Sequence, residues 1–129
     1  MQAENLWGEI PKKGNLRTPI AILREQATLL GQATNNVLQG DVSMGRDTFG
    51  PEFQISLSIV APALDDYRIF LVRVTHELML YPLTVFDLVN DDQYDCDDEE
   101  TFRRALKQIL SSQGTHRIID SLLSQSQAA

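Results

Sequence analysis

His76 and Glu77 are adjacent in the stretch RVTHELMLYP, residues 73–82. A histidine followed by a glutamate opens the H-E-x-x-H signature of zinc proteases. There a helix sets two histidines one turn apart on a metal while the glutamate serves as base. The position four after His76 is Leu80, and the only other histidine in the chain is His116. The local apolar period is two, which sends His76 and Glu77 to opposite faces of a strand. The protease reading fails on both counts. His76 is expected to pack at the end of a strand, with Glu77 in water.

The acidic run NDDQYDCDDEE, residues 90–100, invites comparison with a calcium loop. An EF-hand needs oxygen ligands at positions one, three and five, glycine at six and glutamate at twelve. Counted from Asp91, position three is Gln93, six is Cys96 and twelve is Phe102. A helix start explains the run better, because carboxylates are favourable at a helix N-terminus. Asp97 and Glu100 have the spacing of a capping box. A loose Ca²⁺ site is the minor alternative; no metal site and no cofactor are expected. Cys96 sits among carboxylates, which disfavour its thiolate, so it is not read as a nucleophile. No G-x-S-x-G is present, and GRDTFGP, residues 45–51, lacks the Lys-Ser/Thr of a phosphate loop and reads as a plain connection. The polar side chains that would line a pocket between sheet and helices are Tyr67, Arg73, His76 and Tyr81. Arg68 and Arg73 could each hold an anion from a strand face, although a cross-strand pair with Asp87 or Glu77 is the commoner use of such residues.

The elements that must position these residues follow from periodicity. Residues 1–17 read as an irregular arm pinned to the body by Leu6, Trp7 and Ile10. A helix begins at Thr18, a good N-cap, with Pro19 in the first position where a missing N–H costs nothing. Ile20, Leu23, Ala27 and Leu30 recur at helical spacing, widened by Ile22 and Leu29. The period then becomes two. Leu38, Val42 and Met44 share a face. Phe53, Ile55, Leu57 and Ile59 alternate with Gln54, Ser56 and Ser58. Phe70, Val72 and Val74 oppose Tyr67, Ile69 and Leu71, and a fourth strand follows Pro82 in LTVFDLV. The acidic run leads into a helix carrying Phe102, Leu106, Ile109 and Leu110. Gly114 is expected to end that helix and Thr115 to cap the next, whose apolar edge is Ile118, Ile119, Leu122 and Leu123. The fold expected is α+β: an N-terminal helix, a four-stranded antiparallel meander and two C-terminal helices. The helices lie mainly on one face of the sheet, and residues 18–127 form a single domain.

Composition narrows the function. The chain has 129 residues, 43% of them hydrophobic and 22% charged, with a net charge of −7 and one cysteine. One domain with a self-sufficient core is expected, without a disulfide framework and in a reducing cytoplasm. The N-terminus has no apolar stretch of signal-peptide length, no stretch is long enough to span a bilayer, and the size and style fit a bacterial chain. The negative charge argues against nucleic acid, whose binders need Lys and Arg on phosphates. It would suit a cationic partner. The function expected is a non-enzymatic protein-interaction module, a small acidic binder of inhibitor, immunity or chaperone type, with homodimerisation as a further option. The alternatives are a small-molecule binder or minor enzyme with its pocket between sheet and helices, and a structural subunit of a larger assembly.

Overall fold

The computed structural model describes residues 3–46 and 49–129. The chain runs α1 (Pro19–Ala33), β1 (Gln39–Arg46), β2 (Phe53–Ala61), a 3₁₀ turn (Pro62–Leu64), β3 (Tyr67–His76), β4 (Leu83–Asp87), β5 (Asp92–Cys96), α2 (Glu99–Leu110) and α3 (Gln113–Ala128). The strands form one sheet in the order β1-β2-β3-β4-β5, every neighbouring pair antiparallel. The architecture is α+β. The connection expected over residues 45–51 falls partly on positions 47 and 48, outside the described residues.

The sheet has five strands rather than four. The extra strand is Asp-Gln-Tyr-Asp-Cys, drawn from the acidic run that the sequence assigns to a helix approach. Its composition is poor in strand formers, and what creates it is the turn before it. Buried Asp87 accepts hydrogen bonds at Oδ1 from the backbone N–H groups of Val89, at 2.9 Å, and Asn90, at 3.0 Å. Its Oδ2 accepts from the Asn90 side-chain amide at 2.8 Å. This local Asp turn reverses the chain and sets Leu83 opposite Cys96 and Val85 opposite Tyr94. Carboxylates on the outermost strand also discourage edge-to-edge pairing.

β2 keeps the expected alternation toward the core through Ile55, Leu57 and Ile59. β3 does not. Leu57 pairs with Val72 but Ser58 pairs with Phe70, so Leu71 is an extra residue in a bulge. A bulge shifts the alternation by one residue. Leu71 and Val72 are therefore both buried, Ile69 packs on the core, and Phe70 is half exposed on the other side. The expected grouping of Phe70 with Val72 and Val74 fails for this reason.

Helix α1 starts as its sequence dictates. Thr18 Oγ1 accepts from the Ala21 N–H at 3.2 Å, with Pro19 next in the chain. Ile22, Leu23 and Ala27 enter the core, while Leu29 stays largely exposed. The helix lies directly on β1: a Cβ added to Gly40 would stand 2.5 Å from Ala27 Cα. The caps of the last two helices differ from those expected. Asp98, not Asp97, caps α2, in a reciprocal box with Thr101. Ser112 caps α3 and accepts from the Thr115 N–H at 3.2 Å. Thr115 is buried and donates its hydroxyl to the Ile109 carbonyl at 2.8 Å. Gly114 lies inside the first turn of α3, so close to the β4–β5 turn that an added Cβ would meet Val89 and Asn90 at 2.9 Å. Phe102, Leu106, Ile109 and Leu122 complete one core cluster with Ile22, Leu23, Ile55, Val74 and Val85. The arm behaves differently from expectation. Leu6 and Trp7 are 84% and 83% exposed and Ile10 is also exposed, so the arm is not pinned by its apolar side chains. Its anchor is Arg17, which pairs with Glu25 of α1 at 2.7 Å and Glu99 of α2 at 3.5 Å.

Candidate functional site

The four candidate residues do not converge. Tyr67 and His76 are the two ends of β3, which separates them by about 30 Å at strand rise. Tyr67 is half exposed beside Ile69, over a shallow depression shared with Ile118 and Leu122 of α3. Arg73 lies between buried Val72 and Val74, so it points away from the core. It pairs across the sheet with Ser56 and Phe86 and holds its guanidinium 5.0 Å from the centre of the Phe86 ring. Neither carboxylate expected for it pairs with it among the described residues: Asp87 is committed to its turn, and Glu77 lies beyond the strand. Arg68 has a carboxylate partner, but it is Asp41, at 2.5 Å, with Ser58 Oγ at 2.7 Å.

His76 is buried on the core side and stacks on Phe53, centroids 5.4 Å apart. Its Nδ1 lies 2.7 Å from the Glu77 carbonyl oxygen. A carbonyl can only accept, so Nδ1 carries the proton and donates. Glu77 itself is exposed. The cavity beside His76 measures about 190 Å³ and is lined by Ile20, Met44, Phe53, Leu78 and Leu80 with Thr18. Thr18 accepts from the Ala21 N–H in the α1 cap, and among the described residues the cavity brings no second acid or base to the histidine.

Tyr81 leans edge-on to Phe102, centroids 6.5 Å apart. Its hydroxyl is shielded from solvent and has no hydrogen-bond partner among the described residues. Burial first, then the negative charge of Glu99, Cys96 and Asp98, pushes its pKa up to about 12, against a smaller opposing pull from Arg17. Cys96 is buried on β5, and burial is the main reason its thiol is raised, with Asp95, Asp97 and Asp98 adding to it and a Thr101 hydrogen bond opposing. Neither group is primed as a nucleophile. Among the described residues no three His, Cys, Asp or Glu side chains gather as a metal site. No helix among them is long and apolar enough to cross a membrane.

What the structure does assemble is apolar. The β1–β2 and β3–β4 connections lie at the same end of the sheet, because Arg46 pairs with Phe53 and Phe53 with His76. Leu78 and Met79 are 75% and 81% exposed there, beside half-exposed Met44. Met44 and Leu78, with Leu80, line the small cavity over His76. The sequence carries a signal for them that periodicity passes over. Leu78-Met79-Leu80 is an apolar tripeptide in a connection between strands, where polar turn residues are the rule. Compared with protein-family models, curated proteins and solved structures, the chain matches none.

Proposed function

We propose that this protein is a non-enzymatic interaction module of the cytoplasm that binds another protein through the apolar end of its sheet. The observation that carries the reading is the exposure of Leu78 and Met79, next to Met44, at one end of the sheet. Large apolar side chains grouped on a surface are the informative departure from an ordinary polar exterior. Methionines suit such a surface because their flexible thioethers adapt to a partner. Tyr67 and His76 stand at opposite ends of β3, and Arg73 points from its outer face.

Affinity capture from cells of the source organism tests it, comparing the native chain with a Leu78→Ser/Met79→Ser variant. These side chains are exposed, so the variant keeps its fold, checked by circular dichroism. The expected result is a stoichiometric protein partner with the native chain and its loss with the variant. Equal capture by both, or no partner at cellular concentration, contradicts the proposal.

A further inference from the structure

The net charge of −7 conceals a local reversal of sign. A cleft of about 490 Å³ between α1 and α2 is lined by Arg103, Arg104, Lys107 and His116 together with Ile22, Leu106 and Leu110, and no acidic residue among the described residues lines it. Glu99 and Glu100 reach the two arginines from one turn back on α2, at 3.7 and 2.8 Å. Such exposed pairs are weak and exchange readily for other carboxylates. Lys107 and His116 make no ion pair among the described residues.

A second cavity adjoins the first. Gln26 and Leu110 line both. This slot measures about 230 Å³ and runs between α1 and α3 over the sheet, with Leu30, Ala33, Leu57, Leu71 and Ile119 in its walls. The end of α2 accounts for Lys107, and i,i+4 pairing for Arg103 and Arg104. They do not account for the basic wall opening onto an apolar slot.

We infer that this amphipathic cleft is a docking site for an acidic helical segment of a protein partner, with one large apolar side chain of that segment seated in the slot. Charge complementarity selects an acidic occupant, opposite to what the net charge suggests. Size selects a side-chain anchor. The slot lies below the roughly 300–1,000 Å³ of pockets that enclose a whole small ligand, and anchor side chains in small pockets are how helices dock in grooves. The inference rests on the interaction-module reading for the nature of the partner, but it uses a different surface.

The test uses the full chain and a capped, fluorescein-labelled helical peptide of Glu, Ala and Leu with one central Phe. Two counterparts are needed, one with Lys for Glu and one with Ala for the Phe. Fluorescence anisotropy and amide NMR shifts are recorded. The Glu peptide is expected to bind and to shift Gln26, Leu110, Thr115 and Ile119, while the Lys peptide does not bind. Loss of the Phe weakens binding about tenfold, and the Arg103→Glu/Lys107→Glu variant does the same or more. Ala33→Trp, which fills the slot from an exposed position, weakens binding with the charges intact. The Leu78→Ser/Met79→Ser variant binds the Glu peptide undiminished, so failure here is distinct from failure of the sheet-end reading. Equal binding of the Lys peptide, shifts confined to Met44 and residues 78–80, or no effect of the cleft variants overturns the inference. So does light scattering that shows the native chain dimeric through this cleft, since the occupant is then a second copy.

Discussion

Tyr81 is a phenol that its surroundings keep neutral. Its raised pKa arises because burial and nearby negative charge keep the phenol neutral in the fold. The folded value of about 12 lies above the ordinary 10.0, so this contribution to stability is complete below the unfolded value and is lost as pH rises through the folded one. Tyr81→Phe removes the titration and also a buried hydroxyl that has no partner among the described residues. The variant is expected to match or exceed the native melting temperature at neutral pH. It should also lose less stability between pH 10 and 12; identical alkaline profiles would contradict the assignment. The place of His76 at the end of β3 was legible from the sequence, because the period of two is a local fact. The separation of Tyr67 from His76 follows from strand length. The side to which Arg73 points was legible only locally, as the residue between Val72 and Val74. Its stacking on Phe86 depends on register with β4, which periodicity does not specify.

At the scale of elements, α1 and the central strands were readable because Thr18-Pro19 and the alternation of Phe53–Ile59 are strong local signals. β5 was not, since an Asp turn and a tertiary neighbour override its poor strand propensity. The bulge at Leu71 was equally invisible, because one inserted residue leaves the composition unchanged and alters only the register. Two predictions belong to this scale. Gly40→Ala drives a methyl into the α1 backbone at Ala27 and is expected to cost about 2 kcal/mol, the range of overpacked sites, read as a drop in urea midpoint; an unchanged midpoint would contradict so close a contact. Asp98 is the second. Its carboxyl is held below the usual range by the Thr101 N–H and then the Thr101 hydroxyl, with Arg104 helping and desolvation opposing. A lowered folded value means that its stabilisation is present above the unfolded carboxylate range and fades as pH falls through the folded one. Asp98→Ala is expected to lower the melting temperature by a few degrees at neutral pH and to shrink the loss on acidification. Equal acid limbs in thermal melts would show that the cap carries no such linkage.

At the scale of the molecule, one antiparallel sheet with three helices presents several surfaces of different character. The face carrying Arg73 over Phe86 is polar and aromatic, the α1–α2 cleft is basic, the β5 edge is acidic, and the end around Leu78 is apolar. Net charge, a single number read from composition, averages over all of them, which is why it pointed toward a cationic partner while the cleft points toward an acidic one. The apolar end is the surface on which the account of function stands. Its most direct test places a photo-cross-linking amino acid at position 78 in cells. A control probe goes at exposed Asp65, in the turn between β2 and β3 at the opposite end of the sheet. One discrete protein adduct is expected from position 78 and none from position 65. No adduct from position 78, or the same adducts from both positions, would contradict it.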